Sequence, residues 1–244
     1  MTDALVNQIR DRLENTREQI ARAAQAVGRN STEVRLVVVS KMQPLTKVRA
    51  AIQAGAEILG ENYAEEAVAK IDAIGDTQAE WHMIGHVQSR KADLIAKKFD
   101  WMHSLDSLKL ANRLERFCAE AGRTLPVLLE VNLSGEASKF GYPVWDEVDW
   151  PFLRDEALQI VSDLPHLRVR GLMTMPPFAD DAEASRPFFV KARRLRDYLA
   201  QQVPAAGWDM LSMGTSADFT VAVAEGATLV RVGTAIMGPR QAHG

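Results

Sequence analysis

An ammonium group closes an apolar run in the stretch LVVVSKMQP, Leu36 to Pro44. The aliphatic residues read as a buried strand, and the strand ends in Ser40 and Lys41. A lysine partly withdrawn from water loses proton affinity, so its amine becomes a nucleophile toward aldehydes. Strand position alone favours a plainer role, with the stem lying on apolar ground and the head in water. Two stretches near the C-terminus carry different chemistry. SMGTSADF, Ser212 to Phe219, reads as strand, glycine, hydroxyl residues, then helix. RVGTA, Arg231 to Ala235, places a second glycine and hydroxyl after the next strand. Such turns offer free N–H groups and positive helix ends to an anion. The alternative is that Ser216 only caps its helix and Gly233 only turns the chain. Arg231 shares a strand face with Gly233. An inward arginine needs a partner, either a ligand atom or a rim carboxylate such as Glu61 or Asp106.

These residues must be brought together by the elements around them. Residues 4–28 read as a leading amphipathic helix, with Leu5, Ile9, Leu13, Ile20 and Val27 near a 3.6-residue period and Gly28 as its stop. From about residue 33 to 238 the chain alternates. The strands are RLVVVS, EILG, EWHMIG, WMHSLD, PVLLEVN, VRGLMTM, WDMLSMG and LVRVGT. The first seven each have a helix behind them. Alternation of this kind implies parallel pairing with right-handed crossovers. Eight units in 244 residues predict an α/β chain folded as a single (β/α)8 TIM barrel, one domain over 1–244. A doubly wound open sheet is the rival, but it stops at fewer strands and opens on a glycine-rich turn, which SKMQP is not.

In such barrels the C-terminal strand ends form the active rim, and loops seven and eight are the usual phosphate cradle. Lys41 and the two glycine turns fall on that rim. An amine and a phosphate cradle together suggest an aldehyde that also carries phosphate. Pyridoxal 5′-phosphate (PLP) fits, as does a sugar phosphate in a Schiff-base aldolase. Arg231 favours the first, since a pyridine nitrogen can accept its hydrogen bond and would stay unprotonated. The net charge of −3 gives no footprint for nucleic acid. The locally basic RKADLIAKK reads as a solvated helix face. The single cysteine, Cys118, cannot form an internal disulfide and reads as a core residue. No stretch is long and apolar enough to predict a membrane span or a signal peptide, so a cytoplasmic location is expected. WHMIGHVQ holds His82 and His86 four apart, but across a strand and turn with Gly85 between, so no metal site is expected.

The series VSKMQP, GENYAEE, WHMIGHVQSRK, HSLDS, VNLSGEASKFG, GLMTMPP and LSMGTSADFTVAVAEGATLVRVGTAIMG, in order from Val39 to Gly238, resembles the YggS/PROSC family of PLP homeostasis proteins. The resemblance implies a barrel similar to the N-terminal domain of alanine racemase, with a PLP aldimine on Lys41. It implies Asn62 near the ring, Met173 lining the site and Arg231 at the pyridine nitrogen. The phosphate would rest on Ser212, Gly214, Ser216, Gly233 and Thr234, with Met213 in the same stretch. His82 falls in a matched motif near the site, with no role attached. Lys139 matches a family lysine and is a possible second PLP amine. Thr215 and Thr220 depart from the pattern without removing a cofactor-holding group. The segment 142–156, with two tryptophans and five acidic residues, looks longer than usual and is expected to be a decorated loop.

Racemisation needs a base on each face of the cofactor. In the related racemase the second base is a tyrosine of a C-terminal domain, and this chain ends soon after strand eight. Tyr63 and Tyr142 lie near rim loops, and Tyr198 in an outer helix. The resemblance therefore implies a monomeric, non-catalytic PLP carrier acting in intracellular PLP homeostasis and supplying apo PLP-dependent enzymes. A PLP-dependent racemase-like enzyme is the alternative.

Overall fold

The computed structural model describes residues 3–239. Eight parallel strands close into a barrel: β1 (Arg35–Val39), β2 (Ile58–Glu61), β3 (Glu80–Met83), β4 (Trp101–Leu105), β5 (Leu125–Asn132), β7 (Leu167–Thr174), β8 (Met210–Thr215) and β9 (Leu229–Val232). Neighbours follow chain order, β9 pairs with β1, and β4 pairs with β5 to shut the ring. A two-residue strand, β6 (Tyr142–Pro143), adds to the C-terminal end of β5.

The strands are buried on both faces, which explains their near-continuous apolar runs. Alternate residues go to different cores. Val37, Ile58, Ile84, Trp101, Leu128, Met173 and Leu229 form an inner cluster. Val38, Leu59, Met83, Leu129, Leu172 and Leu211 face the helical layer. That layer contains α2 (Leu45–Gln53), α3 (Ala64–Ile74), α4 (Ala92–Lys98), α5 (Leu108–Glu120), α6 (Trp150–Asp163), α7 (Arg186–Gln202), α8 (Phe219–Ala224) and α9 (Thr234–Met237). Cys118 is buried in α5, and burial pushes its thiol up to about 11.

The leading helix α1 (Asp3–Ala26) buries Val6, Ile9, Leu13, Thr16, Ile20 and Ala24. It packs against α2, α8 and α9. It thus covers the seam where α9, with four residues, is too short to shield β9 and β1. Arg29, just beyond it, donates to the carbonyls of Val223 and Ala227 at 2.6 and 3.0 Å.

Two regions differ from the sequence reading. The segment 142–156 is not a loose loop. Tyr142, Val144 and Trp150 are buried, and α6 starts at Trp150, with Pro151 in its first turn where a missing N–H costs nothing. A helix, α9, also follows strand eight. No helix among the described residues is long and apolar enough to cross a membrane.

Candidate functional site

A cleft of about 360 Å³ opens at the C-terminal ends of the strands. It brings together six of the residues singled out above: Lys41, Asn62, Ser216, Arg231, Gly233 and Thr234. Gln43, Ile84, Met175 and Phe178 complete its walls, along with Val39, Thr215 and Ala217.

The loop bearing Lys41 is fixed from behind. Ser40 Oγ donates to Glu61 Oε1 at 2.7 Å, and Lys70 Nζ donates to the Ser40 carbonyl at 2.7 Å. Glu66 Oε1 accepts the Met42 N–H at 2.7 Å. Lys70 lies 2.8 Å from Glu61 and 2.6 Å from Glu66, which knits the three into one cluster. Met42 takes a left-handed backbone, φ 56, beside the lysine. For a residue with a side chain that conformation is costly and persists only when neighbours over-determine it.

Asn62 follows β2. Gly85 sits so close to it that an added Cβ would stand 2.6 Å from the Asn62 Cα and carbonyl. Asn62 Oδ1 is buried with no hydrogen-bond partner in the structure.

Loops seven and eight meet through one bond. Gly233 donates its N–H to Ser216 Oγ at 3.2 Å. Ser216 therefore does not act as the cap of α8. The cap position is Asp218, whose carboxylate accepts from the Thr215 N–H and hydroxyl. With six and four residues, α8 and α9 are too short for a large dipole, so an anion here depends on individual N–H and O–H donors.

Arg231 enters from β9 and is 4% exposed. Its Nη1 donates to Ser212 Oγ at 2.6 Å and its Nη2 to the Thr174 carbonyl at 2.9 Å. It does not rely on the rim carboxylates. Glu61 is held by Lys70 and Ser40, and Asp106 by His86 at 2.9 Å. Burial lowers the Arg231 guanidinium to about 10, opposed by Glu130 and Asp218, so it stays cationic at neutral pH.

The other six expected residues do not line this cleft. Met173 belongs to the inner core, and Met213 faces the helices. Gly214, φ 91, lets α8 approach, since a Cβ there would come within 2.6 Å of the Ala222 Cβ. Ser212 and His82 are fully buried in the barrel interior. Lys139 donates to the Pro176 carbonyl at 3.2 Å and lines a smaller cleft that shares Met175, Phe178, Thr215 and Ala217 with the main one. His82 and His86 have different partners, His103 and Asp106.

Glu130 was not among the expected residues. It lines a second cleft beside Asn62 and Ile84, and its Oε2 is buried without a partner. Burial first, then Asp106, pushes its carboxyl up to about 7, with Arg231 pulling the other way. A signal existed: in LLEVN it shares the inward parity of Leu128.

The donor set fits PLP. One primary amine, one buried cation, an orphaned amide oxygen and hydroxyl and N–H donors on two loops surround a cleft of ligand size.

The chain matches the family model described as alanine racemase, N-terminal domain, over residues 12–241. A protein of Escherichia coli strain K12 named pyridoxal phosphate homeostasis protein is 39% identical, covering 96% of this chain and 98% of that one. Its namesake in Pseudomonas aeruginosa PAO1 is 43% identical over 91% of each. The structure of PipY from Synechococcus elongatus PCC7942, solved with PLP bound, superposes with a TM-score of 0.82 at 37% identity, covering 94% of this chain and all of that one.

Proposed function

The chain belongs to the alanine racemase N-terminal domain family and, within it, to the pyridoxal phosphate homeostasis proteins, and from that footing we propose that it binds PLP in the rim cleft, with Lys41 as covalent anchor, and stores and delivers it without turnover. The observation that carries this reading is the convergence of Lys41, Arg231 and the Ser216–Gly233 bridge on one cleft. Bound there, PLP supplies an aldehyde that a primary amine captures and a ring that withdraws electrons.

The chain's own residues set what happens next. Lys41 offers the amine from a loop that the Lys70 cluster holds still. Ser216, Gly233 and Thr234 offer hydroxyl and N–H donors to the phosphate. Arg231 presents N–H donors where the ring nitrogen would lie, which disfavours its protonation and weakens the ring as an electron sink. Asn62 offers its unpartnered oxygen to a ring hydroxyl. Lys139, which lines the adjoining cleft, serves as a second amine during loading or release.

Turnover would need a second base facing the cleft. Tyr142 is buried in β6, and Tyr198 packs against Trp150. Tyr63, 52% exposed beside Asn62, is the tyrosine to test in a racemase-like reading. The partners are PLP and apo PLP-dependent enzymes of the cytoplasm, met by a monomer. Purified protein mixed with PLP should gain a visible absorbance that Lys41→Ala lacks, and should not racemise alanine. Robust racemase activity lost in Tyr63→Phe would replace the carrier reading with the enzymatic one.

A further inference from the structure

A line of buried polar groups leaves Arg231 and runs to the opposite end of the barrel. Arg231 Nη1 donates to Ser212 Oγ at 2.6 Å. Ser212 Oγ lies 2.9 Å from His103 Nδ1, and His103 Nε2 lies 2.9 Å from His82 Nδ1. His82 Nε2 lies 2.8 Å from Glu80 Oε2. Arg35, the first residue of β1, donates to that same oxygen at 2.8 Å. Ser212, His103 and His82 are all 0% exposed. β8 and β4 are not neighbours in the sheet, so the Ser212–His103 contact crosses the barrel interior.

Each contact needs one hydrogen, and the ends decide where it sits. Glu80 is ionised, held down to about 2 by the His82 N–H and the Arg35 guanidinium, so His82 Nε2 must donate to it. Burial lowers the proton affinity of His82 and lowers that of His103 strongly, so both rings are neutral. His82 Nδ1 is then an acceptor, and His103 Nε2 carries the hydrogen. His103 Nδ1 is therefore an acceptor too, and the Ser212 hydroxyl donates to it. The Ser212 oxygen is left with lone pairs alone, which is what the Arg231 N–H requires. No other arrangement satisfies every contact with neutral rings.

We propose that Ser212, His103, His82 and Glu80 form a positioning chain of fixed direction that holds Arg231 toward the cleft, so that a carboxylate at the barrel floor governs how Arg231 meets the ligand. Two features support this over plain core packing. Barrel interiors are ordinarily filled by branched aliphatic side chains, and polar groups there cost stability unless every one is satisfied. Along this chain each one is, with a single polarity throughout. The ligand half of the proposal rests on the PLP reading of the cleft; the tautomers do not.

Imidazole nitrogen NMR on the full-length PLP-free protein tests the chain itself. Both His82 and His103 should be neutral Nε2–H tautomers at neutral pH, each protonating at lower pH than a free histidine. A ring found as Nδ1–H, or titrating like a free histidine, overturns the proposal. PLP titrations then test the coupling. Glu80→Gln keeps a carbonyl oxygen for His82 and should bind within about twofold of wild type. Glu80→Leu and Ser212→Ala should each bind about tenfold more weakly, with a shifted visible spectrum. Unchanged affinity and spectrum in both overturn the coupling. Should Glu80→Leu fail to fold, Ser212→Ala carries that arm. A wild-type protein that did not capture PLP would defeat the cleft's assignment and leave the tautomer result standing.

Discussion

Lys41 is held in place by residues that never touch the cleft. Lys70 is 8% exposed in its side chain and Glu61 0%, and between them they take the Ser40 carbonyl and hydroxyl. Removing one partner of a buried ion pair strands the other, at about 3–5 kcal/mol. Lys70→Met should lose stability of that order in urea unfolding and should slow PLP capture, because the backbone at Ser40 and Met42 loses its clamp. Glu130 gives a prediction of opposite sign. Its folded pKa of about 7 lies above the ordinary glutamate value of 4.5, so the fold retains a proton that the unfolded chain releases between those values. Stability should fall as pH rises through that window. Glu130→Gln should flatten the dependence and stabilise the protein by on the order of 2–3 kcal/mol at about pH 8, read from thermal unfolding at both ends. That Lys41, Arg231, Ser216 and Gly233 meet at one cleft was readable from residue type and spacing. Lys70 and Glu130 were not, because their importance comes from burial, which depends on how α3 and β5 sit against other elements.

At the scale of elements, all eight barrel strands were legible, since each is a short apolar run closed by a polar or glycine turn. The exceptions have physical reasons. α9, with four residues, is too short to show a helical period. The start of α6 was hidden because Trp150 and the acidic residues before it resemble loop composition, although Pro151 marked a helix start. Pairing across the barrel was illegible as well. Strand parity places His82, His103, Ser212 and Arg231 inward, but only ring closure brings β4 and β8 face to face. Close approach of β3 to the end of β2 matters for the site. Gly85→Ala would push a Cβ to within 2.6 Å of Asn62 backbone atoms that cannot swing away. About 1–3 kcal/mol of destabilisation is expected, together with weaker PLP binding as Asn62 shifts. Calorimetric unfolding and a PLP titration on one sample read both.

The molecule as a whole joins an apolar shell to a polar axis. α1 belongs to the shell. It covers the closing seam, and Leu13 within it is 0% exposed. Leu13→Asp should cost at least about 3 kcal/mol, since it replaces buried apolar contacts with a charge lacking a partner. Loss of the cooperative thermal transition would be the sign. The axis runs from Glu80 to Arg231 and ends in the cleft that holds Lys41. PLP capture in this cleft depends on that lysine being the point of attachment. Borohydride reduction of the PLP-loaded protein, followed by peptide mapping, tests this most directly. One stable pyridoxyl label is expected, on the peptide carrying Lys41. A label on another lysine with Lys41 unmodified, or no label at saturating PLP, would contradict it.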